Sequence, residues 1–121
     1  MESDLKQRTK TFALRIIKLY LALPRRDAAK ILGNQILRSG TSVGAHYREA
    51  CRAKSDADFV SKVEGALQEL DEPAYWLELL GEAEIIPISR LQALRDEAEE
   101  LIAILVTIVT KVKRKNSKRR R

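Results

Sequence analysis

The sequence predicts an all-α protein, folded as an up-down-up-down antiparallel four-helix bundle. Three observations predict it. Apolar residues recur at helical spacing in four separate stretches. Aromatics make up only 5% of the chain, and the apolar residues are mainly leucine, isoleucine and alanine, which suit helices better than strands. Glycine and proline are few, with Pro24 and Pro87 between the periodic stretches, so the connections are short turns.

The first helix is expected from about Asp4 to Leu23, with Leu5, Phe12, Ile16, Leu19 and Leu23 forming one stripe that Ala13, Ile17 and Tyr20 widen. Ser3 or Asp4 suits its start, and Pro24 ends it. Asp27 has the residue type of a cap for a second helix over about Ala28 to Ala53, carried by Leu32, Ile36, Val43, Tyr47 and Ala50.

The second helix contains the least helix-like stretch of the chain, Arg38-Ser39-Gly40-Thr41-Ser42-Val43-Gly44-Ala45-His46-Tyr47. Each glycine costs about 1 kcal/mol against alanine inside a helix. Spaced by four, Gly40 and Gly44 share one face, and a face without side chains admits a neighbouring backbone closely. A glycine-rich phosphate loop would follow a strand, and no strand precedes this stretch. The glycines are therefore read as helix-packing positions.

Ser55-Asp56-Ala57-Asp58 reads as a capped start to a third helix through Phe59, Val63, Leu67, Leu70, Ala74 and Leu77. Pro73 lies in its interior, where the missing N–H predicts a kink or a break, and Gly81 suits its end. Ser89 with Gln92 three residues later is a capping-box pattern, placing the start of the fourth helix near Arg90. That helix runs through Leu91, Leu94, Ala98, Leu101, Leu105, Ile108 and Val112. Between Leu101 and Val109 it is apolar nearly all round, and the surplus predicts self-association, with Ile104 and Ile108 facing a neighbour.

The net charge of +6 hides a division within the chain. Lys111, Lys113, Arg114, Lys115, Lys118, Arg119, Arg120 and Arg121 place eight cations in the last eleven residues, leaving 15 basic and 17 acidic residues elsewhere. The expected organisation is a bundle over residues 1–112 and a basic C-terminal tail over 113–121 that frays into solvent. Those eight cations are candidate nucleic-acid-binding residues, extended on the body by Arg38, Arg48, Arg52 and Lys54.

The apolar run from Leu101 to Val109 is well short of the roughly 18 residues of a membrane span. No signal peptide is expected, since Met1-Glu2-Ser3-Asp4 is acidic. A single cysteine, Cys51, excludes an internal disulfide and fits a reducing cytoplasm. One histidine and one cysteine do not make a zinc site, and paired glutamates such as Glu69 with Glu72 or Glu99 with Glu100 lack the Glu-x-x-His pattern of di-iron bundles. Ser39, Ser42 and Cys51 are nucleophiles only beside a base, and His46 has no evident orienting carboxylate. No catalytic residue, metal or cofactor is expected.

Arg38 to Ala45, Tyr47-Arg48-Glu49-Ala50, Ala53 to Phe59 and Tyr75-Trp76-Leu77-Glu78-Leu79-Leu80 together resemble a family of four-helix-bundle proteins encoded within intervening sequences of bacterial large-subunit (23S) ribosomal RNA genes. The resemblance implies a homo-oligomer, a ring of five subunits. It also implies kinship to the accessory subunit of diversity-generating retroelements, which works with a reverse transcriptase and binds nucleic acid. Pro73 and His46 depart from the family pattern, whose members carry a helix-compatible residue and more often asparagine there. The function expected is that of a non-enzymatic, oligomeric nucleic-acid-binding protein, RNA ahead of DNA. The competing reading is a protein–protein adaptor docking a polymerase or a ribosome-associated partner.

Overall fold

The structure, a computed structural model, describes residues 2–119, with side chains from 4 to 118. It contains four helices: α1 (Glu2–Ala22), α2 (Asp27–Cys51), α3 (Asp56–Glu82) and α4 (Ile88–Arg119). Among the described residues there is no strand. Each helix packs chiefly on its neighbour in sequence, while α1 and α4 approach only lightly and the backbones of α2 and α4 stay apart. The result is an up-down-up-down four-helix bundle, all α.

The stripes read from periodicity form the core. Phe12 and Ile16 of α1, Ile36, Val43 and Tyr47 of α2, Val63, Leu70 and Leu77 of α3, and Leu91, Leu101 and Leu105 of α4 are all fully buried. Ile104 and Ile108 pack against this core in part. Ile17, in contrast, turns outward, and Leu14 and Leu21 on the same side of α1 are exposed.

The second helix approaches α1 over its glycines. A Cβ on Gly40 would lie 2.8 Å from Ile16 Cγ1, and one on Gly44 would lie 3.1 Å from Thr9 Oγ1. Gly33 continues the same face, with Leu23 Cδ1 at 2.6 Å from the absent Cβ. The hydroxyls of this stretch turn back on their own helix: Ser39 donates to the Gln35 carbonyl (2.7 Å), Thr41 to Leu37 (2.6 Å) and Ser42 to Arg38 (2.6 Å).

Several helix boundaries differ from the pattern. Ser55 caps α3 as its sequence suggests, its Oγ accepting from the Asp58 N–H at 3.1 Å. Asp27, though, is the first residue of α2, and the capping position falls on Arg26, which makes no side-chain cap bond. Asp27 serves instead as a negative charge in the first turn, facing the positive end of the helix dipole. Similarly, α1 begins at Glu2, ahead of Asp4, and α4 at Ile88, so Ser89 lies inside the first turn. Gln92 donates to Asp96 rather than closing a capping box.

Gly81 does not end α3. It is buried within the helix, where a Cβ would sit 3.0 Å from Ile88 Cγ1, so its small size admits the start of α4. The left-handed position is taken by Glu84 (φ 59°). Glu84 donates to the Gly81 carbonyl (3.1 Å) and Ile85 to the Leu80 carbonyl (3.0 Å), the paired bonds of a Schellman cap.

Pro73 does not break α3, which is continuous from Asp56 to Glu82. Buried Leu70 and Leu77, one turn to either side, hold both halves of the helix in the core across the missing hydrogen bond. Nor does the chain leave the helix after Val112, because α4 continues to Arg119. Lysine and arginine are good helix formers, and cations suit the negative end of the dipole. Lys113 also reaches Glu64 of α3 at 3.2 Å. The backbone of Arg119 is the last described; its side chain, with Arg120 and Arg121, lies outside the described residues.

Candidate nucleic-acid interface

Because the end of α4 is helical, its cations are sorted by face. Lys111, Arg114, Lys115 and Lys118 stand at i, i+3, i+4 and i+7 and line one open surface. All four are exposed, and none has a carboxylate within ion-pair distance among the described residues. Lys113 points to another side and is engaged by Glu64. Four cations over two helical turns form a strip about 10 Å long, a spacing suited to successive phosphates.

The body residues separate into two groups. Arg38 is held between α2 and α3, donating to Glu72 Oε1 at 2.7 Å and to Glu69 Oε2 at 3.5 Å. Two carboxylates balance its charge, so it adds little attraction for a polyanion. Arg48, Arg52 and Lys54 are exposed and have no such partner among the described residues. The antiparallel topology brings the end of α2 and the end of α4 to the same end of the bundle. They flank α3 there with their backbones apart.

His46 has a carboxylate that the sequence did not reveal. Its Nε2 lies 4.0 Å from Glu69 Oε1, beyond hydrogen-bond length, and Glu69 is shared with Arg38. The hydroxyls of Ser39 and Ser42 are committed to backbone carbonyls, so neither pairs with His46 as a nucleophile. Cys51 is a half-buried free thiol. Among the described residues no group of three or more His, Cys, Asp or Glu is placed to hold a metal ion. None of the helices is long and apolar enough to cross a membrane.

One seam of the bundle is electrostatic. Arg8 of α1 donates to Glu97 through Nε (3.2 Å) and a terminal nitrogen (2.6 Å), and lies 3.2 Å from Glu100. The hydrogen bond that Arg8 donates to Glu97 raises the Arg8 pKa above the usual guanidinium value, with the charges of Glu97 and Glu100 adding to it against the effect of burial.

The sequence reading also missed cations on α1. Between Asp4 and Asp27 there are seven lysines and arginines, five of them in α1, and no acidic residue. Charge summed by segment shows this directly; the density of the C-terminal cluster obscured it.

With this geometry in place, the family model for the 23S rRNA-intervening sequence protein matches residues 1–107. The chain belongs to this family. Among solved structures, it is similar to a protein of unknown function of the S23 ribosomal protein family from Bacteroides thetaiotaomicron VPI-5482. The two share 39% identity over 91% of this chain and 99% of the other, with a TM-score of 0.83. No curated protein matches the chain. The match to the family ends at residue 107, so the cationic strip lies outside the matched residues.

Proposed function

We propose that this member of the intervening-sequence family is a non-enzymatic, self-associating cytoplasmic protein that binds nucleic acid, RNA ahead of DNA. The observation that carries this reading is the strip of Lys111, Arg114, Lys115 and Lys118, four cations on one helical face without intramolecular partners among the described residues. Arg119, Arg120 and Arg121 follow in sequence, and Arg48, Arg52 and Lys54 extend the footprint at the same end of the bundle. Residues 1–112 act as the bundle and 113–121 as its basic extension. The exposed aromatic Tyr75 stands in α3 beside α4 residues between Gln92 and Ile102, away from the strip. Without a stacking platform the contact is to phosphates, and binding follows charge more than base sequence. Several strips in one oligomer, a ring of five in the form the family resemblance suggests, act together through effective concentration.

The test is RNA binding across a salt series, comparing the full chain with one ending at Val112. The full chain should bind more tightly, with a steeper dependence on salt. Equal affinity and equal slope for both would remove the strip from the interface. The adaptor reading has its own support in the exposed Leu14 and Leu21 of α1, which offer an apolar surface to another protein, such as a polymerase. A protein purified free of nucleic acid, whose RNA affinity does not respond to salt, would favour the adaptor.

A further inference from the structure

The bundle is polarised in a second way, across its width. On the outer side of α1, Leu14, Ile17 and Leu21 follow spacings of three and four, and Leu14 and Leu21 are 55% and 77% exposed. Exposed Lys10 and Lys18 flank this stripe, and Arg25 follows it in the turn. The opposite helix has the reverse character: α3 carries eight acidic residues and a single lysine. Its outer side presents Tyr75, 53% exposed, with Asp71 one turn before it and Glu78 one turn after. Asp96 and Glu99 of α4 border the same groove, giving it four carboxylates against one cation, Arg95. Among the described residues, Lys10, Lys18, Asp71, Glu78 and Glu99 have no opposite charge within ion-pair distance.

We propose that the α1 face of one copy docks on the α3–α4 groove of a second copy, head to tail. The inference rests on the self-association proposed above and says which surfaces meet. Both faces have an apolar centre with charges at its flanks, and apart from Arg95 the charges of the groove are opposite in sign to those of the α1 face. The α1 stripe from Lys10 to Leu21 covers about 17 Å of helix, and the groove runs about 15 Å along α4 from Gln92 to Ile102, so the two are similar in length. A copy of this chain thus supplies the partner that each face lacks. Two α1 faces brought together would oppose cation to cation, and two grooves would oppose carboxylate to carboxylate, so a two-fold contact through either face is disfavoured. Contacts between unlike faces leave one of each open on every assembly, and they end only when a ring closes.

Light scattering on four full-length proteins tests the pairing: wild type, Lys10→Glu/Lys18→Glu, Asp71→Lys/Glu78→Lys, and the variant that combines all four changes. The wild type should exceed the 13.7 kDa of one chain, while each double variant should be monomeric with helicity retained by circular dichroism. The combined variant, in which both signs are reversed, should assemble again. Leu14→Asn/Leu21→Asn, which alters no charge, should also weaken assembly. Double variants that assemble like the wild type would overturn the pairing while leaving self-association intact. Double variants that are monomeric with no recovery in the combined protein would overturn it as well. A wild type monomeric at 100 μM (about a hundredfold above a micromolar Kd) would remove self-association, and the pairing with it. Binding of that monomer to anionic vesicles would assign the α1 face to a lipid surface instead.

Discussion

Gly40 packs directly beneath Ile16, so closely that a Cβ at Gly40 would lie 2.8 Å from Cγ1 and 3.0 Å from Cγ2 of that side chain. Both atoms belong to the branch point of a fully buried isoleucine, which has little rotational freedom to move aside. The approach of α1 to α2 is set by what Gly40 lacks.

Gly40→Ala should therefore destabilise the bundle despite the gain in helix propensity of about 1 kcal/mol. Overpacking of this kind costs about 1–3 kcal/mol, and the net loss expected is about 1 kcal/mol, a fall of about 3–6 °C in Tm. At Gly44 the neighbour is Thr9 Oγ1 at 3.1 Å, a contact that a few tenths of an ångström relieves. Gly44→Ala should lie near neutrality, whereas Gly44→Leu should cost at least as much as Gly40→Ala. Thermal melts separate these outcomes, and a Gly40→Ala protein more stable than the wild type would refute the close crossing.

Arg8→Ala should cost about 1 kcal/mol, because the Arg8 side chain is 32% exposed and its ion pairs are only partly shielded from water. Arg8→Lys should recover less than half of that, since an ammonium cannot bridge Glu97 and Glu100 with a planar fork. The sign with pH follows from the raised pKa. A cation stabilised in the folded state contributes fully below its unfolded pKa and loses that contribution only as pH rises through the higher folded value. Urea melts between pH 6 and 9 should therefore show a constant difference between wild type and Arg8→Ala. A step within that range would assign the difference to another group.

Glu84→Gly should raise stability by about 0.5–1 kcal/mol. The left-handed conformation costs a residue with a Cβ about 1–2 kcal/mol, and the greater freedom of glycine in the unfolded chain returns part of this. Glu84→Val should do the reverse, because a β-branched residue fits that region worst. Denaturant midpoints for the two variants moving in the same direction would contradict the Schellman geometry.

Arg38→Gln should leave RNA affinity and its salt slope nearly unchanged, because Glu69 and Glu72 already neutralise the guanidinium. Lys115→Gln should weaken binding and shallow the slope by about one unit. Filter binding at four salt concentrations distinguishes them, and equal effects would argue that the α2–α3 face contacts the polyanion.

The helices and their inward faces were legible in the sequence because burial imposes a period, and Phe12, Ile36, Leu70 and Leu101 keep it. The ends were less legible. Ser55 both looks like a cap and is one, but Asp27, Ser89 and Gly81 show that residue type does not fix the register of a terminus. Tertiary anchoring by Leu70 and Leu77 outweighs the local effect of Pro73. At the candidate interface, the cations of α4 were visible as a cluster, yet their division into a free strip and the engaged Lys113 depends on where Glu64 of α3 lies. The proximity of His46 to Glu69, twenty-three positions away, is likewise a product of helix pairing and has no signature within α2.

The contact between Arg8 and Glu97 joins positions 89 residues apart, whereas the large helix–helix interfaces lie between neighbours in sequence. Closing a loop of that size carries an entropy cost that grows with its length, while each helical hairpin closes over a few residues. Hairpin formation should precede the meeting of α1 with α4, giving a chain that folds quickly through local steps. A group that joins late leaves the folding rate nearly untouched and acts on the rate of opening. Arg8 should thus act as a latch, its loss speeding the opening of the finished bundle more than it slows its formation.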